Sequence, residues 1–124
     1  MTNTEILVCV LCRPAGAPRE APRAGRALFE AVQEAAFLED PPFVVRPVEC
    51  MNGCSRSCTV ALQAPGKSVY FFGDLTADTE TAQQVIACAQ MHQLSPDGTL
   101  LRAERPERLR EGILARLPAC LPAV

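Results

Sequence analysis

The spacing of apolar residues changes several times along the chain, and each change predicts a new element. Residues 5–12 form one continuous apolar run, which is typical of a strand buried on both faces. Residues 24–38 then follow a helical period, which ends at two consecutive prolines. The inward face of this first helix is predicted to carry Leu28, Val32, Ala35 and Leu38. Residues 43–48 predict a second strand.

The second half of the chain predicts a hairpin, a long helix and a tail. Residues 59–64 and 67–72 read as two strands joined by a Pro-Gly turn. A helix is predicted to begin after Thr76, which is a suitable N-cap residue, and to continue to about Gln93. Its predicted buried face carries Ala82, Val85, Ile86 and Ala89. A short helix over residues 106–117 is predicted to close the tail, with Leu109, Ile113 and Leu117 inward.

This order of elements, β-α-β-β-β-α, predicts an α/β fold with a thioredoxin-like core. A right-handed crossover makes the first two strands parallel neighbours, and the hairpin adds two more strands. The predicted result is a four-stranded mixed sheet in the order 2-1-3-4, with helices and a C-terminal helical tail. Strand 2 then lies at the edge, where the missing N–H of Pro47 does no harm. We expect one metal-binding or cluster-binding domain over residues 1–124, with a core at 5–93 and a tail at 94–124.

Charge and hydropathy restrict the partners and the compartment. The 124 residues carry a formal net charge of −2, whereas the neutralisation of phosphates requires an excess of Lys and Arg. No apolar run approaches the roughly 20 residues that span a bilayer. The N-terminus has neither the basic region nor the long apolar segment of a signal peptide. We therefore expect a cytoplasmic protein with no nucleic-acid partner and no membrane association.

Cysteine is the residue type that suggests a chemical function. The chain has seven cysteines, and an odd number in a reducing compartment favours metal binding or redox chemistry over a disulfide framework. Five of them lie in two short segments: Cys9, Cys12, Cys50, Cys54 and Cys58. Both segments follow strands that end on the same side of the predicted sheet, so we expect the five thiols to converge. Four thiolates suit either zinc or an iron–sulfur cluster, and the spacing alone admits both.

Two sequence motifs resemble those of thioredoxin-like [2Fe–2S] ferredoxins, a fold shared with a small subunit of respiratory NADH dehydrogenase. The first apolar strand ends in VCVLCRP, starting at Val8, and the later loop begins with CMNGC at Cys50. The resemblance covers roughly residues 5–92. It implies a [2Fe–2S] cluster with Cys9, Cys50 and Cys54 among its ligands.

The chain departs from this ferredoxin family at one ligand. The second cysteine of the family lies near Ala21-Pro22, where this chain has no cysteine, so the fourth ligand is expected to be Cys12 or Cys58. We favour Cys12, which lies on the same segment as Cys9. An offset of three on an extended strand points two side chains to opposite faces, so the chain must turn at Cys12 for both to bind. Cys58 meets no such obstacle.

A second resemblance is to a small bacterial family described as predicted metal-binding proteins, and it extends over nearly the whole chain. The shared features are the CVxCR opening, the C-x₃-C-x₃-C loop and the segment Gly73-Asp74-Leu75. This resemblance supports metal binding and implies no reaction. Arg13 and Arg56, which lie close to cysteines in the sequence, are expected to stabilise their thiolates.

We therefore expect an iron–sulfur protein, of the [2Fe–2S] type, that acts as a small electron carrier or a cluster-bearing accessory protein. It would exchange electrons with a redox partner protein that the sequence does not identify, and a homodimer is left open. The alternative is a redox-inactive metal-binding or metal-delivery protein that holds zinc, cobalt or a similar ion with the same cysteines. A third hypothesis is a thioredoxin-like module whose thiols are all free.

Two further residues carry expectations that the structure tests. No catalytic arrangement is visible, because the single histidine, His92, has no partner in a motif. His92 falls at the polar end of the second predicted helix and is expected at the surface. Cys88 falls among apolar residues of the same helix and is expected to be a buried, chemically inert thiol.

Overall fold

A computed structural model of the chain describes residues 4–11, 23–39, 43–49, 51 and 56–119. These residues form five strands, three α-helices and one 3₁₀ turn at Arg102–Glu104. The strands are β1 (Glu5–Cys9), β2 (Val44–Val48), β3 (Val60–Gln63), β4 (Val69–Phe72) and β5 (Ile113–Leu117). The helices are α1 (Ala24–Phe37), α2 (Thr79–Leu94) and α3 (Glu107–Glu111).

The strands form one mixed sheet in the order β2-β1-β3-β4-β5. Strands β1 and β2 are parallel, and every other pair is antiparallel. The predicted order 2-1-3-4 is therefore confirmed, and β2 with its Pro47 lies at the edge as expected. The predicted hairpin is also confirmed, because β3 and β4 are joined by a turn in which Gly66 has a φ of 73°. This turn lies at the opposite end of β3 from Cys58.

The core lies between the sheet and the helices. Val8, Val60 and Phe72 stand in register across β1, β3 and β4, and none of the three is exposed. They share one cluster with Leu28 and Val32 of α1. The predicted helix 24–38 is confirmed as α1, but the expectation that Leu38 faces inward is wrong, because Leu38 lies just beyond α1 and is 78% exposed. The apolar period thus predicts the position of the helix correctly, but it wrongly assigns Leu38 to the buried face.

Helix α2 buries Ala82, Val85, Ile86 and Ala89, as its period predicts. Its N-cap is Asp78 rather than Thr76, because the Asp78 carboxylate accepts a hydrogen bond of 2.8 Å from the Thr81 amide. Thr76 donates its hydroxyl to the same carboxylate at 2.9 Å. Within the described ranges, no helix is long and apolar enough to cross a membrane.

The tail differs from its prediction. Helix α3 ends at Glu111, and residues 113–117 form β5 on the far side of β4. Leu109 is buried as expected, whereas Leu117 is 57% exposed. Apolar residues at a spacing of four fit a helix, but strand β4 offers an unpaired edge whose hydrogen bonds residues 113–117 satisfy. The sheet therefore has five strands instead of four.

The expected surface position of His92 is also wrong. His92 is fully buried, with Nδ1 at 2.7 Å from the Thr4 hydroxyl and Nε2 at 2.7 Å from the Ser68 carbonyl. Because a carbonyl only accepts, Nε2 carries the proton and Nδ1 accepts from Thr4. Burial lowers the pKa of His92 below its usual value. The residue joins the start of β1, the start of β4 and the last turn of α2.

Candidate metal centre

The end of β1 lies directly beside the end of β2. Cys9 is the register partner of Val48 in this parallel pair, and the Val10 amide donates to the Val48 carbonyl at 2.9 Å. The Cys9 sulfur lies 3.8 Å from the carbonyl oxygen of Glu49. Glu49 directly precedes Cys50 in the chain. The fold thus brings the first cysteine segment to the point where the second one begins.

The same end of the sheet also holds Cys58. The Cys9 amide donates to the Thr59 carbonyl at 3.2 Å, which continues the antiparallel ladder between β1 and β3 by one residue. Cys58 comes one residue before Thr59, so it lies at the cysteine end of that ladder. Both sulfur-bearing residues are 1% exposed and belong to the same core cluster. The main chains of the two cysteine segments therefore lie side by side here. The register pairs Cys9 with Thr59, however, and because side chains alternate along a strand, those of Cys9 and Cys58 point to opposite faces of the sheet.

The main chain of Cys58 is held from both sides by Leu75. The Cys58 amide donates to the Leu75 carbonyl at 3.1 Å, and the Leu75 amide donates to the Cys58 carbonyl at 3.2 Å. Leu75 is itself buried at 3% exposure. These two bonds fix the main chain of Cys58 against the segment that contains Leu75.

An ion pair between Arg56 and Asp74 joins the same two segments of the chain. The Arg56 Nε lies 2.9 and 2.8 Å from the two Asp74 carboxylate oxygens, and one terminal nitrogen also donates to the carboxylate. The Asp74 amide donates to the Arg56 carbonyl at 2.6 Å. Hydrogen bonding to Arg56 lowers the pKa of Asp74 below its usual value. The Arg56 charge, expected to stabilise thiolates, is thus paired with a carboxylate, so the structure does not support that role.

The motif Gly73-Asp74-Leu75 owes its glycine to close packing. The Gly73 amide donates to the Gly112 carbonyl at 2.7 Å. A Cβ at Gly73 would lie 2.6 Å from a Leu114 methyl group and 2.8 Å from the Arg56 carbonyl oxygen. Asp74 has a φ of 57°, a left-handed conformation that Asp tolerates better than most residues. The motif therefore connects the tail to the end of the cysteine loop, a role that sequence reasoning missed.

The remaining sequence-predicted ligands lie outside the described residues. These are Cys12, Cys50 and Cys54, and their roles stay predictions. Among the residues that the structure does describe, no three side chains of His, Cys, Asp or Glu form a group that could hold a metal ion. Only Cys9 and Cys58 of the five candidates fall in that part of the chain. Before the segment that contains Cys12, the Leu11 carbonyl accepts a hydrogen bond from Arg23 at 2.8 Å.

Cys88 and His92 are not part of this centre. Cys88 lies in α2 with no exposed surface, as predicted. Burial raises the pKa of its thiol to about 12, so Cys88 stays protonated at neutral pH. Both nitrogens of His92 are within hydrogen-bond distance of Thr4 and Ser68. His92 is therefore a buried structural residue rather than a surface residue, and it adds no metal ligand.

The candidate donors at this end of the sheet are of a type that suits a metal with a preference for sulfur. Cys9 and Cys58 both lie at one end of the sheet in apolar surroundings, and thiolates bind zinc, copper(I) and iron–sulfur clusters in preference to magnesium or calcium. The main-chain amides of Cys9 and Cys58 donate to the carbonyls of Thr59 and Leu75. The residues present are compatible with an iron–sulfur cluster or with a single zinc ion, and their chemistry does not choose between them.

Comparison with known proteins adds a family and a fold. The model of the family described as "Protein of unknown function (DUF1636)" matches residues 6–119. A thioredoxin-like [2Fe–2S] ferredoxin from Aquifex aeolicus superposes with a TM-score of 0.59 and 20% identity, over 94% of each chain. A further crystal structure of the wild-type ferredoxin gives a TM-score of 0.56 and 19% identity, over 93% of this chain and 99% of that one. At such identities the likeness shows the fold, which is that of thioredoxin-like ferredoxins. No curated protein matches the sequence.

Proposed function

Since the chain belongs to the DUF1636 family of proteins of unknown function and has the fold of thioredoxin-like [2Fe–2S] ferredoxins, we propose that it is a small iron–sulfur electron carrier or cluster-bearing accessory protein. The observation that carries this proposal is the position of Cys9. Its sulfur is buried at the end of β1, 3.8 Å from the carbonyl that precedes Cys50. This position supports a site to which cysteines from two segments about forty residues apart would both contribute.

The proposed cluster would be held by Cys9, Cys50 and Cys54, with Cys12 or Cys58 as the fourth ligand. When bound, a [2Fe–2S] cluster takes up and releases one electron at a time. The chain itself supplies ligands on two adjacent strand ends and an apolar environment that limits access of water. Burial and hydrogen bonds to the sulfurs are the means by which a protein sets the potential of such a cluster. A protein of this kind needs a redox partner protein to give or receive the electron.

The proposal is tested by a redox titration of protein isolated without oxygen. A cluster of the proposed type absorbs in the visible, bleaches on addition of one electron per chain and then gives a rhombic paramagnetic signal. Colourless protein that takes up no electron would remove the electron carrier from consideration. Colourless protein that contains a stoichiometric metal would leave only metal binding.

The second candidate function is redox-inactive metal binding or delivery with the same cysteines. One observation favours it: the resemblance to the ferredoxins implies a cysteine near Ala21-Pro22, and this chain has none there. The ligand set therefore differs from the one that the resemblance implies, and a different set of four thiolates also suits a single zinc or cobalt ion. Elemental analysis after the protein has been offered iron, zinc, cobalt and copper together distinguishes the two functions. Iron with inorganic sulfide supports the first function, and zinc or cobalt alone supports the second.

A further inference from the structure

We propose that the redox partner protein docks on the face of the sheet that points away from the helices. This open face is defined by its apolar residues, which are Leu7, Val44, Ala61, Val69, Phe71 and Leu117. The inference rests on the proposed function, because only an electron carrier requires a redox partner. It adds the surface on which that partner binds and the apolar chemistry that the partner must present.

The register of the strands assigns the central residues of the open face to one side. Ile6 and Val8 of β1 have no exposed surface, and Leu7 between them points to the other side of the sheet, because side chains alternate along a strand. Leu7 stands opposite Ala61 of β3, and Ala61 stands opposite Phe71 of β4. These three residues therefore form one row across the middle of the sheet.

A second row of the open face runs beside the first. Val44 is the register partner of Glu5, which shares a side with Leu7, and Leu117 is the register partner of Val69, two positions before Phe71. Val44 and Leu117 are 56% and 57% exposed at the two edges of the sheet. The apolar surface thus extends from the edge strand β2 to the edge strand β5.

The described helices cover the opposite face and leave this one open. Helix α1 packs on β1 and β2, and its buried residues share the core cluster with Val8 and Val60, which lie on the helix side of the sheet. In the part of the chain that the structure describes, neither Leu7 nor Phe71 belongs to this cluster. Both side chains stay partly exposed, so the open face is available to a partner.

The size of the open face favours a transient partner over a second copy of this chain. Five strands at a spacing of about 4.8 Å, with about 16 Å of strand length, give a face on the order of 400 Å². A stable interface buries about 800 Å² on each partner, whereas weak electron-transfer complexes bury less than about 600 Å² on each. Apolar patches of about 300–600 Å² on a monomer are often functional. The open face therefore suits a short-lived electron-transfer complex and has about half the area that a stable dimer needs.

The open face also reaches the candidate metal centre. Cys9 follows Leu7 by two positions on β1, so its side chain lies on the same side of the sheet. The Cys9 sulfur is 3.8 Å from the Glu49 carbonyl oxygen, at the end of the sheet where the proposed cluster would be held. A partner seated on Leu7 and Phe71 would thus lie beside a proposed ligand, as electron exchange requires.

A recess lies at the other end of the open face, beside the β3–β4 turn. Its volume is about 270 Å³, and it is lined by residues 64–67 of the turn and by Glu5, Gln63 and Val69. Glu5 and Gln63 are register partners on the open face. The residues that contribute most to an interface tend to fill such recesses, so we expect one projecting side chain of the partner to bind here.

The first experiment identifies what binds to the open face. A photo-crosslinking amino acid replaces Leu117 or, as the matched control, Leu94, which is 84% exposed at the end of α2. Each full-length protein is irradiated in the cells that naturally make it, and the captured proteins are identified by mass spectrometry. We expect position 117, but not position 94, to capture a protein that carries a flavin, haem or iron–sulfur group.

The second experiment measures electron exchange with the captured protein after both proteins are purified. Leu117→Lys and Val44→Lys place a charge on the open face, and Leu94→Lys places the same charge elsewhere. All three positions are exposed, so the variants should fold, and thermal unfolding and the visible spectrum check this. We expect the second-order rate constant to fall about tenfold in the two open-face variants, with an unchanged reduction potential, and to keep its wild-type value in Leu94→Lys.

Capture of a second copy through position 117, together with a dimer in sedimentation that Leu117→Lys dissociates, would assign the open face to self-association and overturn the proposal. Equal capture at both positions, no capture at position 117, or a captured protein without a redox group would also overturn it. Equal exchange rates in all variants would have the same consequence. A wild type that holds no cluster would contradict the electron carrier, and the contrast between positions 117 and 94 would then decide by itself whether the open face is a docking surface.

Discussion

Replacement of Gly73 by alanine tests whether the 73–75 segment supports the metal centre. The new methyl group would lie 2.6 Å from a Leu114 methyl and 2.8 Å from the Arg56 carbonyl oxygen. The leucine side chain can move, whereas the carbonyl belongs to the main chain and already accepts the Asp74 amide. Overpacking of this kind costs about 1–3 kcal/mol. We expect the strain to displace the Arg56–Cys58 segment and so to weaken metal binding.

Gly66→Ala is the matched control. Gly66 lies in the β3–β4 turn, at the opposite end of the sheet from Cys9, and has a φ of 73°. A methyl group added there would have no atom within 4 Å outside its own chain neighbours. The replacement therefore strains only the local backbone, by about 1–2 kcal/mol for an L-residue in the left-handed region. The two variants should lose comparable free energy of unfolding at opposite ends of the same sheet.

Urea unfolding of the metal-free proteins measures the loss of stability, and the rate of metal transfer to a chelator measures retention. Both assays are run in conditions where each protein is folded. We expect Gly73→Ala to release metal about tenfold faster than the wild type and Gly66→Ala to release it at the wild-type rate. Equal release rates in the two variants would show that metal retention follows global stability, and the supporting role of the 73–75 segment would then be wrong.

Three further outcomes follow from buried or capping groups. Because burial lowers the pKa of His92, this histidine binds a proton more readily in the unfolded chain than in the folded protein. The free energy of unfolding of the wild type should therefore fall as the pH drops below about 6.5. The same dependence of unfolding free energy on pH in a His92→Gln variant would contradict this. Asp78→Ala removes the N-cap bond to Thr81 and should cost about 1 kcal/mol at neutral pH. Since hydrogen bonding lowers the pKa of Asp78, that cost should shrink progressively as the pH falls below about 4, and thermal unfolding at neutral and acidic pH checks it. Cys88→Ser buries a hydroxyl in α2 and should cost about 1–3 kcal/mol with unchanged metal content; reduced metal content would show that Cys88 belongs to the centre.

The apolar pattern of the sequence is sufficient to predict strands β1 to β4 and their order in the sheet. The continuous apolar run of β1 predicts a central strand, and Pro47 in β2 predicts an edge strand. The helix between them provides the crossover that makes these two strands parallel neighbours. The pattern failed at β5, where Ile113 and Leu117 share a helical spacing with Leu109. Whether that segment forms a helix or a strand depends on the open edge of β4, which is a tertiary feature that a local period does not contain.

The site was partly predictable for a similar reason. The position of Cys9 beside Glu49, which precedes Cys50, follows from strand order, which the sequence indicates. The roles of Asp74 and His92 do not, because their partners lie far away in the chain: Arg56 is 18 residues from Asp74, and Thr4 is 88 residues from His92. The signal that pointed to Asp74 was the Gly73-Asp74-Leu75 motif, and its physical meaning emerged only from the contacts with Arg56 and Cys58.

The central claim is that distant cysteines hold one iron–sulfur cluster, and the most direct measurement is the iron and inorganic sulfide content of protein isolated without oxygen. For a [2Fe–2S] cluster we expect equal amounts, about two of each per chain, and their loss in Cys9→Ser. Protein that contains iron without sulfide, or zinc in place of both, would contradict the account.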